Sequence, residues 1–279
     1  MSTVTITAAD VNKLRQQTGA GMMDCKKALE ETQGNFDAAV DLLRKKGQKV
    51  SELRAGRAAK EGKVVAKVSA DGKTGIAVSL NSETDFVAKN EDFVAYADKF
   101  AEVALSSGVN TLEELLAASI EGVTVADKVN DLVAKINEKI EISSFAKVEA
   151  ETVVAYNHSN GKVSVILGLN QPATDAVTQI GKDLAMQVAA LAPVAVDSNE
   201  VSQEIIDRET AIAKEQTLAE GKPADMVEKI AQGRVQKVLK EITLINQPFV
   251  KDSSKTVAQV LQAVDKDLKV VAFKRVSVA

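Results

Sequence analysis

The chain has 279 residues, of which 45% are hydrophobic, 27% charged and only 3% aromatic, with a formal net charge of −4. These values suit a globular chain long enough for two or more modules, and they exclude a molecule that is basic all over and binds phosphate backbones. The single cysteine, Cys25, excludes an intramolecular disulfide, no apolar run reaches the roughly 20 residues of a membrane span, and Met1-Ser-Thr-Val-Thr-Ile-Thr lacks a signal-peptide layout, so a soluble cytoplasmic protein is expected.

Residues 1–46 predict a small three-helix module. Thr7 can cap a helix over 8–17 with Val11 and Leu14 on one face, and Thr18-Gly-Ala-Gly21 breaks it. A second helix over 22–31 places Cys25, Ala28 and Leu29 at i, i+3, i+4 spacing before Gln33-Gly34-Asn35. A third is expected from Phe36 to about residue 45, with Ala39, Val40, Leu42 and Leu43 apolar. Three short helices enclose a marginal core, so this module should need a surface to pack against. The composition then turns basic (Arg44, Lys45, Lys46, Lys49, Arg54, Arg57, Lys60, Lys63), punctuated by Gly47, Gly56 and Gly62. Residues 47–62 therefore read as a linker, and such a charge run is ordinarily a solvated face.

Beyond the linker the sequence repeats. Val64-Val-Ala-Lys67, Asp71-Gly72-Lys73 and Val78-Ser-Leu-Asn81 return 89 residues later as Val153-Val-Ala-Tyr156, Asn160-Gly161-Lys162 and Leu167-Gly-Leu-Asn170. Each copy predicts two strands around an Asp-Gly or Asn-Gly turn. A helix follows each hairpin, striped by Phe93, Tyr96, Ala97, Phe100 and Val103 in one copy and by Val177, Ile180, Leu184, Val188 and Leu191 in the other. A closing strand also recurs: Ile140, Ile142, Phe145 and Val148 match Leu268, Val270, Phe273 and Val276, now 128 residues apart. The second copy thus carries an insertion, placed at about 197–236 and split by Glu220-Gly-Lys-Pro223 into an antiparallel helical hairpin. The fold class expected is α+β: the three-helix module, then two related antiparallel-sheet-plus-helices subdomains over 63–150 and 151–279, the second bearing the hairpin.

Thr84-Asp85-Phe86-Val87 sits where the first hairpin turns into its helix, a place from which a scaffold presents side chains. The matching stretch of the second copy is Thr174-Asp175-Ala176-Val177. Thr-Asp recurs and suits a helix cap, whereas the aromatic does not, so the architecture does not require a large ring there. The rival reading of Phe86 is a core residue at a helix start.

Catalytic constellations are weak. Gly19-Ala-Gly21-Met-Met-Asp24 lies between helices and has Asp24 where a dinucleotide fingerprint needs its third glycine. Cys25 has Lys26 and Lys27 beside it, but its apolar helical spacing reads as a buried structural thiol. His158 is the only histidine, so it cannot build a zinc site with one distant cysteine. A surface contact near a hairpin turn suits it better. No catalytic residue, metal site or cofactor is expected.

Two long signatures then carry a resemblance: Leu14-Arg15-Gln-Gln-Thr18-Gly19-Ala-Gly21-Met22-Met23-Asp24-Cys25-Lys26-Lys27-Ala28-Leu29 and Leu80-Asn81-Ser82-Glu83-Thr84-Asp85-Phe86-Val87-Ala88-Lys89. With Asp183-Leu-Ala-Met186, Gly221-Lys-Pro223, Gln247-Pro-Phe-Val250 and Ser254-Lys-Thr-Val257 in order, the chain resembles the bacterial elongation factor Ts family along nearly its whole length. Those proteins are guanine-nucleotide exchange factors of elongation factor Tu. Ser79 stands where the family usually has glutamate, and contacts of the tail that longer members carry are not implied for these residues. The resemblance implies a ubiquitin-associated-like helical module whose Arg15, Met22 and Met23 touch the partner's GTPase domain. It implies that Thr84, Asp85, Phe86 and Val87 intrude near the partner's nucleotide site and dislodge magnesium. It further implies that the second subdomain, with His158 among the contacts, holds the partner's far domain. The partner expected is elongation factor Tu, GDP-bound and nucleotide-free, with no direct nucleic acid and no membrane, and the hairpin is a candidate homodimer surface. Two rival classes stand beside this one: an adaptor whose helical module binds a ubiquitin-like or other helical partner, and an RNA binder that uses the basic linker.

Overall fold

The computed structural model describes residues 5–18 and 20–278. Gly19, part of the expected first helix break and of the first signature, lies outside the described residues, as do Met1–Val4 and Ala279. The helical module comprises α1 (Ala8–Thr18), α2 (Met22–Glu31) and α3 (Phe36–Arg54). Thr7 begins α1 with a reciprocal cap: its hydroxyl accepts from the Asp10 N–H at 3.2 Å while the Asp10 carboxylate accepts from the Thr7 N–H at 3.0 Å. Val11, Leu14, Cys25, Ala28, Leu29, Ala39 and Leu43 close one small core, the apolar faces expected from the helical spacing.

The linker expected over 47–62 is mostly structured. Helix α3 continues to Arg54 and strand β1 (Glu61–Val68) begins at Glu61, so only residues 55–60 connect them. Lys, Gln, Glu and Leu are good helix formers, so a basic composition ended nothing. Gly47, which reads as a break, is instead a packing site. A Cβ there would lie 3.0 Å from the Ala134 Cβ and 3.2 Å from the Asn130 carbonyl, which lets α3 settle on α7 (Val125–Ile136).

Strand β1 pairs with β2 (Thr74–Ser82), which leads into the one-turn helix α4 (Asp85–Ala88) and then α5 (Glu91–Ser106). Next come α6 (Leu112–Ala117), the short strands β3 (Ser119–Ile120) and β4 (Val123–Thr124), α7, and β5 (Ile140–Glu149), which completes the sheet β1-β2-β5. The second unit begins with β6 (Thr152–Asn157), β7 (Val163–Leu169) and α8 (Asp175–Leu191). Then follow α9 (Gln203–Ala219), α10 (Ala224–Ile242), β8 (Pro248–Phe249), β9 (Asp252–Thr256), α11 (Val257–Val264) and β10 (Val270–Ser277), which gives the sheet β10-β7-β6.

The register displays the duplication. Phe145 faces Val78 and Phe273 faces Leu167; Ile142 faces Leu80 and Val270 faces Leu169. Even the ladder irregularity recurs, before Leu80 in one sheet and beside Val270 in the other. Both hairpins close the same way, through Ser69 N–H to Thr74 O at 2.8 Å and His158 N–H to Val163 O at 2.9 Å. The glycines at these turns sit left-handed (φ 71° at both Gly72 and Gly161) within a loop wider than a two-residue turn.

Strand alternation builds four layers. Ile76, Val78 and Leu80 face a core with Phe93, Phe100 and Leu132 from the helices, whereas Ala77 faces the other sheet. Val165, Leu167 and Leu169 likewise face Ile180, Leu184 and Val188, whereas Ile166 joins Val64, Val148 and Val153 between the sheets. The sheets approach so closely that a Cβ on Gly75 of β2 would come within 2.6 Å of the Val153 Cγ1 on β6. Leu191, expected on the apolar stripe of α8, is exposed at its last turn. The inserted hairpin extends beyond the expected 197–236: α9 and α10 fold back over Ala213, Thr217, Val227 and Ala231, and Ala195 pairs with Thr243 at the neck. No helix among the described residues is long and apolar enough to cross a membrane.

Candidate functional site

The conspicuous surface feature is the turn between β2 and α4. Thr84 is the N-cap of α4, with its hydroxyl oxygen facing the Val87 N–H at 3.5 Å. Its own N–H and hydroxyl donate to the Glu138 carboxylate at 3.1 and 2.8 Å. Thr174 caps α8 in the same way, accepting from the Val177 N–H at 3.2 Å. The recurring Thr therefore serves the local fold.

Phe86 does not. The residue is 83% exposed, although Phe93 and Phe100 on the following helix are fully buried. Ala176, at the matching position of α8, is also exposed. The core reading of Phe86 is thereby excluded: in both units this position points to solvent, and only the first fills it with a ring. Val87 tucks against the first unit's core beneath it. Asp85 accepts a hydrogen bond from the Lys89 ammonium at 2.6 Å, which holds its carboxyl below the usual range and raises Lys89 in return.

The turn is braced by Glu83. Its carboxylate accepts from the Arg54 guanidinium at 2.7 Å, the Arg57 guanidinium at 3.0 Å and the Lys139 backbone N–H at 2.5 Å. Burial alone would raise this carboxyl, but the Lys139 N–H and the guanidinium groups of Arg57 and Arg54 outweigh it and hold it at about 2. Arg54 also donates to the Asn137 Oδ1 at 3.0 Å, at the left-handed cap of α7. In the sequence Glu83 stands only as one residue of the second signature, Glu138 carries no signal, and Arg54 and Arg57 belong to a basic run that reads as solvated.

His158 is exposed beside the β6–β7 turn, its Nδ1 2.8 Å from the Tyr156 hydroxyl. Lys162 on the same turn reaches the Glu61 carboxylate at 2.6 Å and adds to the field on Asp85. The second unit's hairpin tip thus lies beside the first unit's turn. In the helical module, Arg15 is exposed on α1, and Met22 and Met23 open α2 at 55% and 63% exposure. The two methionines, with Ile6, Ala8 and Val11, line an apolar groove of about 540 Å³. Neither methionine packs in the core. Cys25 does: burial raises its thiol despite a hydrogen bond with Thr18, the state of an inert structural cysteine.

A braced turn that exposes one ring, together with a helix start that exposes two methionines, belongs to a protein that works by contacting another macromolecule. Comparison with known proteins gives that class its particulars. A family model described as Elongation factor TS matches residues 83–279. The chain is 48% identical over 272 residues to the elongation factor Ts of Christiangramia forsetii, covering 98% of each chain. It is 50% identical over 273 residues to that of Amoebophilus asiaticus, covering 98% of this chain and 99% of the relative. It is 49% identical over 276 residues to that of Cytophaga hutchinsonii, covering 99% of each. The chain belongs to the elongation factor Ts family. It is therefore a translation elongation factor that acts as a nucleotide exchange factor, with elongation factor Tu as its partner.

Proposed function

We propose that the protein releases GDP by setting Asp85 and Phe86 against the elements of elongation factor Tu that support its magnesium. Arg15, Met22 and Met23 grip the partner's GTPase domain, and the second unit, with His158 at its edge, anchors the far domain. Loss of the cation removes the charge that bridges and neutralises the phosphates, and GDP departs. The factor performs no chemistry of its own. It binds the nucleotide-free state better than the GDP-bound one, so by linkage nucleotide and magnesium weaken its own binding in turn. The wedge is neither consumed nor trapped.

Phe86 is the observation that carries this reading: a solvent-facing ring on a braced turn, with Ala176 in its place in the other unit. Covering such a ring contributes about 1.5–3 kcal/mol. If that gain is realised on the way to GDP release, Phe86→Ala slows maximal release by about ten- to a hundredfold. Stopped-flow release of a fluorescent GDP analogue from elongation factor Tu measures this, with Asp85→Ala expected to slow release as well. Wild-type rates for both variants would overturn the assignment. On the α9–α10 arm, Ile212, Leu218 and Met226 are exposed, apolar groups that a second copy would cover in a homodimer. Sedimentation that returns only monomer at high concentration removes that part.

A further inference from the structure

We infer that Glu83 is a positioning residue for nucleotide exchange: with Arg54, Arg57 and Glu138 it fixes the orientation of the Phe86 turn and ties it to the docking of the helical module. This rests on the reading of Phe86 as the wedge. The ion pairs fall just where they would matter for it. Glu83 and Thr84, the residues leading into α4, are bound from three segments: Arg54 at the end of α3, Arg57 in the connection that follows it, and Glu138 with the Lys139 N–H in the connection between α7 and β5. The Ser82 hydroxyl adds a bond to the Thr84 carbonyl at 3.0 Å. The Lys139 ammonium closes the ring by donating to the Arg57 carbonyl at 3.0 Å.

The same carboxylate links the two expected contact surfaces. Along α3, Gly47 rests on α7, Val50 packs into the first unit's core, and Arg54 reaches Glu83. These three positions follow helical spacing on one face. The helix that carries the methionine module is therefore seated on the body and latched at the Phe86 turn. A ring held this way meets its partner already oriented. A turn freed from the latch has to be ordered during exchange, and fixing even one backbone residue costs enough to slow a step by about 5- to 30-fold.

A merely structural ion pair would behave differently, and a double-mutant cycle separates the two. GDP release is measured over a range of factor concentrations for wild type, Glu83→Gln, Phe86→Ala and the double variant, each confirmed folded by its thermal transition. The expected result is that Glu83→Gln lowers the maximal rate by about 5- to 30-fold with little change in half-saturating concentration, and costs almost nothing further once Phe86 is alanine. Full additivity with Phe86→Ala, or a wild-type maximal rate for Glu83→Gln while Phe86→Ala is slow, overturns the inference and leaves the wedge intact. A wild-type rate for Phe86→Ala instead removes the wedge, and the inference with it. If Glu83→Gln does not fold, Arg57→Gln takes its place. Arg57 is half exposed, so its loss spares the core, and the same cycle is expected with a smaller amplitude.

Discussion

Acid should reveal how much the fold gains from Glu83. An ordinary glutamate titrates near 4.5, whereas this carboxyl sits at about 2, where the Lys139 N–H and the two guanidinium groups overcome its burial. The folded value lies below the unfolded one. The contribution is therefore fully present above pH 4.5 and is lost as pH falls from there towards 2. A gap of this size corresponds to about 3 kcal/mol at roughly 1.4 kcal/mol per unit. The Glu83 side chain is 18% exposed and that of Arg57 55% exposed, and solvent screening brings the working figure to about 1–2 kcal/mol. Urea unfolding of wild type and Glu83→Gln, from about pH 7 down to about pH 2, isolates it, because every other acid cancels in the difference. Glu121, also held at about 2 by Lys99 and Lys128, is one of those that cancel. The variant should be less stable by about 1–2 kcal/mol at neutral pH, and the deficit should shrink from about pH 4.5 downwards and approach zero near pH 2. A deficit independent of pH would refute the reasoning, since shape rather than charge would then be what Glu83 supplies.

Two further outcomes follow from the packing. Gly47→Leu should cost about 1–3 kcal/mol in denaturant unfolding, because its side chain must displace Ala134 or lift α3 from α7. Met22→Ser combined with Met23→Ser should leave stability within about 0.5 kcal/mol while weakening calorimetric affinity for elongation factor Tu by at least about tenfold. An unchanged affinity would place the partner contact elsewhere.

The sheets were legible because two independent patterns agreed. Asp71-Gly72 and Asn160-Gly161 mark the hairpin turns, and the 89-residue repeat matches Val78-Ser-Leu-Asn81 to Leu167-Gly-Leu-Asn170. The extent of α3 was not legible, since Gly47 breaks a helix in isolation but here lets two helices touch, a fact held by Ala134 far along the chain. The repeat by itself separates Phe86 from its neighbours, since Thr84, Asp85 and Val87 recur as Thr174, Asp175 and Val177 and the ring does not. The brace around it was hidden for a different reason. Glu83 meets Arg57, Arg54 and Lys139 across separations of 26, 29 and 56 residues, and no local pattern encodes such pairings.

The neck of the α9–α10 arm has a consequence for how the protein can vary. The Val194 N–H bonds to the Ile242 carbonyl at 2.8 Å, and the Leu244 N–H bonds to the Ala195 carbonyl at 3.0 Å. To the body, the chain at 195 and at 244 is already adjacent, and the whole arm is a detour that starts and finishes at one point. Nothing in either sheet measures its length. The arm is thus a graft site, where helical turns can be added, removed or replaced by a short turn without moving the four layers, the latch or the ring.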